Sequence, residues 1–417
     1  MNLPEGTTLQ AAHQHLGIAA AAVNEKRSSS STQLAQTSSG LEELSGSSTL
    51  DPFSDELLQL LLSRLSHPLT ARTGFIANNI NMPLVKTNTQ LSLGEELFHV
   101  RRIRGQGAYA KVFQASTLDP MNVTLLPDVP NEEEEDDESQ MILKVQKPAC
   151  PWEFYICHEL RERLRTAGRP NNVLDSVMRV NRGYYYNNGS ILASQYHRYG
   201  TLLDLLNGYK MKGLLWSNDL AMYFTIEVLS ILENIHACDI IHADIKPDNF
   251  IVKGLPQINY SARSAEEMFA DCPSALKIID FGRAIDMRIL PKGTSFTRKV
   301  TTEGFTCCEM QEGRAWTYQP DLYGAAATAH TMLWGTYMTV AKKEGVWALQ
   351  GSNFKRYWNR EAWQSVFHEL LNVPSCDRLP SLSAMRATLQ TAFFDADYKK
   401  NFKSKCNELY SVMITPR

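Results

Sequence analysis

Two short polar segments limit the folds open to this chain more than any other feature. The first is residues 241–250, IHADIKPDNF, and the second is residues 276–282, LKIIDFG. They hold Asp244, Lys246 and Asn249 in one segment and Asp280 in the other. The two segments therefore combine a carboxylate, an ammonium group and two further oxygen donors, each at a defined place within its segment. An unrelated fold would rarely produce this combination by chance.

These residue types are the ones that phosphoryl transfer requires. Asp244 would accept the proton of an attacking hydroxyl, and Lys246 would place a cation near the γ-phosphate. Asn249 and Asp280 would supply oxygen ligands to Mg²⁺. The lysine two residues after Asp244 favours serine or threonine as the acceptor. His242 is interpreted as a structural histidine packed beneath the turn that follows Asp280, rather than as a base or a metal ligand.

A glycine-containing segment lies upstream, at residues 105–112 (GQGAYAKV), between two predicted strands. Gly105 and Gly107 would let backbone N–H groups approach the phosphates of a nucleotide, and Val112 is assigned to the same site. Ala110 occupies the position of the third glycine in the usual pattern. Taken alone, the segment is explained equally well as an ordinary hairpin turn.

Lys144 stands in an apolar strand, ILKV, where a buried ammonium group is costly unless it is paired. A nucleotide phosphate and a helix glutamate would pair it, whereas an edge-strand lysine would instead extend to solvent. The following helix offers two glutamates. Glu153 shares a helical stripe with Cys157 and Leu160, whereas Glu159 lies on the solvated face, so Glu153 is the predicted partner.

The rest of the chain divides into a β-rich part followed by a helical part. Residues 1–50 are rich in serine and threonine and are predicted to be disordered. A leucine stripe predicts an amphipathic helix from about Ser54 to Pro68, and residues 70–95 are predicted to be extended and irregular. Strands are predicted at 97–103, 111–116 and 141–146, a solvated acidic loop at 132–138, and helices at 219–237, 321–335, 360–372 and 382–394.

Composition excludes several classes of protein. The chain has 417 residues and a net charge of −3, with no broad basic face typical of a nucleic-acid binder. Its eight cysteines form no C-x-x-C pair and are interpreted as reduced thiols of a cytosolic or nuclear protein. No apolar run approaches the length of a membrane span, so no membrane association is expected.

Further runs resemble one family in particular, the Bub family of mitotic checkpoint serine/threonine kinases. The resemblance extends from about residue 51 to residue 410 and is carried by residues 143–148, 151–156, 199–203, 284–294 and 333–338. It implies an α+β, bilobal eukaryotic protein kinase fold. The implied division is an N-terminal kinase extension at 51–95 that packs on the small lobe, and a kinase domain at 96–410. The small lobe would end near residue 200, where the large, helical lobe begins.

The resemblance also implies roles for individual residues. Glu153 would be the ion-pair partner of the strand lysine. Gln195 and His197 would lie in the hinge that holds adenine, and Asp321 would brace the catalytic loop. ATP and Mg²⁺ are the implied cofactors. Ala243 departs from the family pattern because an arginine usually precedes the catalytic aspartate; we therefore expect the activation segment to be ordered by its own contacts rather than by a phosphate.

The implied function is phosphorylation of protein substrates of the chromatin and kinetochore class, a nucleosomal core-histone tail among them, in the spindle assembly checkpoint and chromosome segregation. Checkpoint proteins at the kinetochore would be partners, in the nucleus with a cytoplasmic pool, and no direct sequence-specific nucleic-acid binding is expected. Two alternatives stay open: a BubR-type pseudokinase scaffold that inhibits the anaphase-promoting complex, and a structural protein stabilised by ATP. The family's N-terminal modules are not visible in residues 1–50, which indicates a short form, a fragment or a divergent member.

Overall fold

The computed structural model describes residues 50–107, 109–118, 139–299 and 306–414. The predictions for residues 1–49 and for the acidic run at 132–138 lie outside the described residues. Within the described part, a small lobe built on one β-sheet is followed by a larger lobe built mainly of helices. The predicted two-lobed α+β architecture is therefore confirmed.

The sheet of the small lobe has seven strands in the order β1-β6-β7-β5-β4-β3-β2. All neighbours are antiparallel except β1 and β6, which are parallel. Its strands are β1 (Phe75–Ala77), β2 (Thr89–Leu93), β3 (Glu96–Gln106), β4 (Ala110–Leu118), β5 (Gln140–Gln146), β6 (Val180–Tyr186) and β7 (Gly189–Gln195).

The three strands predicted from the sequence are confirmed as β3, β4 and β5. The expectation that residues 70–95 are irregular is wrong in part, because they supply β1 and β2, the two edge strands of the sheet. Both strands are short, and β1 has only three residues, so neither carries a long alternating pattern. Their extended form comes from pairing with β6 and β3, which sequence periodicity does not report.

The large lobe contains most of the helices, and the four predicted there are confirmed to within two residues at each end. The helices of the described chain are α1 (Asp55–Ser63), α2 (Pro151–Thr166), α3 (Asn171–Asp175), α4 (Leu202–Met211), α5 (Asn218–His236), α6 (Ala265–Phe269), α7 (Cys308–Glu312), α8 (Gln319–Trp334), α9 (Arg360–Leu371), α10 (Leu382–Asp395) and α11 (Lys399–Met413). The short strands are β8 (Ile240–Ile241), β9 (Phe250–Val252), β10 (Leu276–Ile278), β11 (Ile285–Asp286), β12 (Val340–Lys343) and β13 (Val346–Leu349).

Helix α1 begins where the sequence predicted and ends earlier. The Ser54 hydroxyl accepts a hydrogen bond from the Leu57 backbone N–H, which caps the first turn. Leu57 and Leu61 are both buried, so the leucine stripe faces the core as expected. The predicted end at Pro68 is wrong, since the helix stops at Ser63, where the hydroxyl donates to the Leu60 carbonyl and the last turn tightens.

The segment before β2 contacts both lobes. Arg72 forms an ion pair of 2.7 Å with Glu159 on α2, and β1 extends the sheet of the small lobe. The ring of Phe53 stacks on Trp316 of the large lobe at 6.4 Å between centroids. The resemblance implied packing on the small lobe, and the contact with the large lobe is an addition to that expectation. None of the described helices combines the length and apolarity needed to cross a membrane.

Candidate active site

Strand register brings the glycine turn and the strand lysine into one row across the sheet. Gly105 of β3 is opposite Val112 of β4, which is opposite Lys144 of β5. The backbone N–H of Gly107 donates to the Ala110 carbonyl at 2.8 Å and closes the turn beside them. Since directly opposite residues on neighbouring strands lie side by side, these positions form one wall of a site.

Lys144 lies between two carboxylates, one of them fully buried and the other partly exposed. Its Nζ is 2.8 Å from both carboxylate oxygens of Glu153 and 2.8 Å from Oδ1 of Asp280. The side-chain amide of Gln146 donates a further hydrogen bond of 3.0 Å to the Glu153 carboxylate. Glu159, the other glutamate considered from the sequence, pairs instead with arginines on the far side of α2. The structure therefore places Glu153 next to the strand lysine.

Burial and charge act in opposite directions on these groups. Burial raises the pKa of the Glu153 carboxyl, although the neighbouring Lys144 ammonium lowers it. Burial lowers the pKa of Lys144, but the two carboxylates outweigh it and the net pKa lies well above the ordinary lysine value. Burial also opposes ionisation of Asp280, yet Lys144 brings the net pKa of that carboxyl below its usual range. At neutral pH the lysine is charged and Asp280 is ionised beside it.

The loop between β8 and β9 gathers the three other predicted residues. Lys246 Nζ lies 2.8 Å from Oδ2 of Asp244. The side-chain amide of Asn249 donates to the same carboxylate at 3.0 Å and to the Asp244 backbone carbonyl at 2.8 Å. Because these bonds use the amide nitrogen of Asn249, its amide oxygen is the atom suited to a cation.

Asp321, near the start of α8, holds this loop from below. Its fully buried carboxylate accepts hydrogen bonds from the backbone N–H groups of His242 at 2.8 Å and Ala243 at 2.7 Å, and His236 contacts it at 2.9 Å. Ala243 has a φ of +61°, a left-handed conformation that is costly for a residue with a Cβ. The Asp321 carboxylate thus fixes a strained backbone directly before Asp244.

His242 packs beneath the turn that follows Asp280, where the sequence analysis expected it. Its Nε2 lies 3.0 Å from the Ile279 carbonyl, and its ring meets the edge of Phe281 at 4.8 Å between centroids. The imidazole is fully buried. The imidazole therefore connects the two segments that carry the candidate site residues.

Sequence reasoning missed Gly324, which lets α8 approach the loop closely. A Cβ at this position would lie 2.4 Å from the Ile245 carbonyl oxygen and 2.5 Å from its Cβ. Contacts this short are not tolerated, so only glycine permits the observed packing. A run of small residues in the helix, GAAATA, was the one signal available in the sequence.

The predicted hinge residues occupy the end of β7 and the segment after it. Gln195 pairs with Met141 at the last register position of the sheet. His197 points its Nε2 at Lys277 of the large lobe, at 3.0 Å. Burial and the nearby Lys253 lower the pKa of Lys277 to about 8. This contact spans from the segment after β7 to β10, and the assignment of both residues to adenine binding stays a prediction.

The donor set fits a hard divalent cation. The Asp280 side chain is 44 % exposed, whereas that of Glu153 is completely buried, so Asp280 is the carboxylate that faces the cleft. A backbone hydrogen bond of 2.9 Å from Ile279 to Asn249 ties the two candidate ligands together. Carboxylate and amide oxygens are the protein ligands that such cations prefer, completed by water and phosphate oxygens.

Comparisons with known proteins add independent findings. A family model described as a protein kinase domain matches residues 98–372. The mouse mitotic checkpoint serine/threonine-protein kinase BUB1 is 38 % identical over 364 residues, covering 87 % of this chain and 32 % of its own length. The Arabidopsis thaliana protein of that name is 32 % identical over 338 residues, covering 80 % of this chain and 60 % of its own length.

The solved structures give a similar result. A crystal structure of the BubR1 kinase domain superposes with a TM-score of 0.72 and 28 % sequence identity, and the match covers 87 % of this chain and all of that one. The chain thus spans about a third of the mouse relative and 60 % of the plant relative. The fold and the family predicted from the sequence are both confirmed by these matches.

Proposed function

This chain belongs to the protein kinase family, with BUB1-type serine/threonine kinases among its relatives, and from that premise we propose that it phosphorylates protein substrates in the spindle assembly checkpoint and in chromosome segregation. One observation carries the proposal. The ion-paired Lys144, Glu153 and Asp280 occur together with the hydrogen-bonded Asp244 and Lys246. This is the arrangement of charges that ATP-dependent phosphoryl transfer needs.

In this proposal the small lobe holds the nucleotide. The backbone of Gly105 and Gly107 approaches the phosphates of ATP, Val112 lines the same wall, and Lys144 neutralises phosphate oxygens while Glu153 keeps it in place. Gln195 and His197 lie where the adenine would bind. We propose the division into an extension at 51–95 and a kinase domain at 96–410 as the corresponding organisation of the chain.

Asp280 and Asn249 would hold Mg²⁺, which supplies positive charge to the phosphates when it is bound. Asp244 would accept the proton of the substrate hydroxyl, and the neighbouring Lys246 would offset the charge that develops on the transferred group. Asp321 and His242 would keep the loop in position. The contacts of these side chains within the described residues support each of these roles.

The substrates and partners we propose are those of the checkpoint class. A nucleosomal core-histone tail would be one phosphate acceptor and the chain itself another. Checkpoint proteins would be its partners at the kinetochore, and part of the protein would be in the cytoplasm. The alternative is a BubR-type scaffold without catalysis, which the structural match to a BubR1 kinase domain favours. The complete set Lys144, Asp244, Asn249 and Asp280, with the higher identity to BUB1, supports activity instead.

The test measures transfer of labelled phosphate from ATP, with Mg²⁺, to reconstituted nucleosomes and to the protein itself. Wild type is compared with Asp244→Asn, for which we expect a loss of roughly 10²–10⁴-fold in rate. Asp395→Asn, an exposed carboxylate at the end of α10, is the matched control and should keep the wild-type rate. No transfer by wild type, while ATP still raises the melting temperature, would overturn the proposal in favour of the scaffold.

The metal assignment has its own experiment. Asp280→Asn should abolish turnover and should also remove the additional rise in melting temperature that Mg²⁺ gives over ATP alone. A variant that keeps full turnover, or that keeps the Mg²⁺-dependent rise, would contradict the role of Asp280. The Asp395→Asn protein again serves as the reference.

A further inference from the structure

A second group of buried charges lies outside the candidate site and is centred on Asp286. We propose that Asp286 is a positioning residue that fixes helix α2, and with it Glu153, against the start of the activation segment, which is the part of the chain that follows Asp280. In this role it replaces a phosphate on that segment. This inference rests on the proposed kinase function. Arg163 and Tyr155 are the residues of α2 through which Asp286 would act.

The Asp286 carboxylate is fully buried and accepts four hydrogen bonds. Arg163 donates from Nη1 at 2.8 Å and from Nη2 at 2.6 Å, Tyr155 donates from its hydroxyl at 2.7 Å, and the Arg288 backbone N–H donates at 3.0 Å. Two of the three donor residues lie on α2. A carboxylate has about four acceptor sites, so this one is saturated by the protein itself.

The position of Asp286 explains why these bonds matter for catalysis. It lies on β11, six residues after Asp280, and it pairs with Ile240 of β8, two residues before His242. Arg163 also donates to the Cys238 carbonyl at 2.8 Å, just before β8. One carboxylate therefore ties together the helix that carries Glu153, the strand after Asp280 and the strand before Asp244.

A further contact strengthens the same link. The indole N–H of Trp152, the neighbour of Glu153, donates to the Ala284 carbonyl at 2.7 Å, two residues before Asp286. Helix α2 is thus bound to the start of the activation segment through Trp152 in its first turn, Tyr155 in its second and Arg163 in its fourth. Removing one partner of a buried charge pair leaves the other charge uncompensated. Without the Asp286 carboxylate, the buried guanidinium of Arg163 would have to move towards solvent, and α2 would move with it.

The replacement of a phosphate follows from the residue before the candidate base. A cation there would be the group that binds a phosphorylated activation segment, and Ala243 has no side chain to do so. Asp286 gives the arginine of α2 a permanent anion in bidentate geometry, as an arginine would hold a phosphate. The start of the activation segment is therefore ordered as soon as the chain folds, without phosphorylation.

The central experiment compares Asp286→Asn with wild type in the phosphate-transfer assay. The amide keeps the shape of the side chain and removes its charge, and we expect kcat to fall at least tenfold while KM for the protein substrate stays within about twofold. Asp239→Asn is the matched control, because Asp239 pairs with Arg288 nearby at 2.7 Å but is 46 % exposed; its kcat should stay within twofold of wild type.

A double variant separates positioning from general destabilisation. If Asp286 acts through Glu153, then Asp286→Asn adds little further loss of kcat in a Glu153→Gln background, although it still lowers the melting temperature. The same fold loss in both backgrounds, or full kcat in the single variant, would overturn the inference. If Asp286→Asn does not fold, Tyr155→Phe takes its place, because it removes one of the four hydrogen bonds. Its kcat is measured in the wild-type and Glu153→Gln backgrounds, and the same fold loss in both, or no loss in either, would again overturn the inference.

Two further readouts complete the test. Phosphatase-treated wild type should keep its kcat, and a loss on treatment would contradict the replacement of a phosphate by Asp286. If wild type itself transfers no phosphate, the proposed function fails, and the inference is then judged by amide hydrogen exchange of residues 151–166. Faster exchange in Asp286→Asn than in Asp239→Asn would support the positioning of α2, and equal exchange would overturn it.

Discussion

His158 should make the stability of this protein sensitive to mild acid. It lies on α2, its ring stacks on Phe154 at 4.0 Å between centroids, and its buried Nε2 has no hydrogen-bond partner among the described residues. Burial, reinforced by the nearby positive charge of Arg72, lowers the pKa of this imidazole from 6.5 to about 4. The folded protein therefore resists protonation that the unfolded chain accepts readily.

The sign and size of the effect follow from that difference. Because the pKa is lower in the folded state, the contribution of His158 to stability is complete above pH 6.5 and is lost as the pH falls towards 4. A pH of 5 lies about 1.5 pH units below the ordinary pKa of 6.5, so protonation stabilises the unfolded chain by about 2 kcal/mol, at about 1.36 kcal/mol per pH unit. The ring is only partly buried, so we expect about 1–2 kcal/mol.

The measurement is the free energy of unfolding in urea at pH 8 and at pH 5, for wild type and for His158→Gln. Other groups titrate in both proteins, so only the difference between the two pH dependences is attributed to His158. We expect wild type to lose about 1–2 kcal/mol more than the variant between the two pH values. Equal losses in the two proteins would refute the reasoning, since an imidazole that protonates freely in the folded state contributes no pH dependence.

Two further variants test the site and its support. Glu153→Gln should reduce kcat at least tenfold by removing the partner of the strand lysine, whereas Glu159→Gln on the same helix should keep most activity; the reverse order in a phosphate-transfer assay would contradict the assignment. Gly324→Ala should lower the free energy of unfolding by about 1–3 kcal/mol and reduce turnover, because its Cβ would collide with Ile245. Gly254→Ala, where a Cβ meets nothing within 4 Å, is the control, and equal stability of the two variants in urea would show that α8 can move aside.

The candidate site could be predicted from the sequence where charge and local spacing coincide. Lys144 lies in an apolar strand and Glu153 on the apolar stripe of the next helix, so each needs a partner and the chain offers few others. Asp244, Lys246 and Asn249 lie within six residues, so one local turn of the backbone is enough to bring their side chains together. These predictions depended on pairing rules that act over short stretches of chain.

Other features depended on contacts between distant parts of the chain. Asp286 and Arg163 are 123 residues apart and share no spacing that marks them as partners. Gly324 matters only because Ile245 lies above it, and β1 is too short to show a period. The early end of α1 at Ser63 reflects a local hydrogen bond that competes with the helix, which a leucine stripe does not reveal.

The placement of β1 and β2 at opposite ends of the seven-stranded sheet has a practical consequence. Both strands come from residues 51–95, and each covers the hydrogen-bonding edge of a strand that belongs to the small lobe, β6 on one side and β3 on the other. A shortened chain that began at residue 96 would end its sheet at β6 and β3, which are longer than β1 and β2, so a longer row of unpaired backbone groups on each side would be open to pairing with another molecule. Such a protein would self-associate into oligomers or aggregates at concentrations where the longer chain stays dispersed, whatever the state of its catalytic residues.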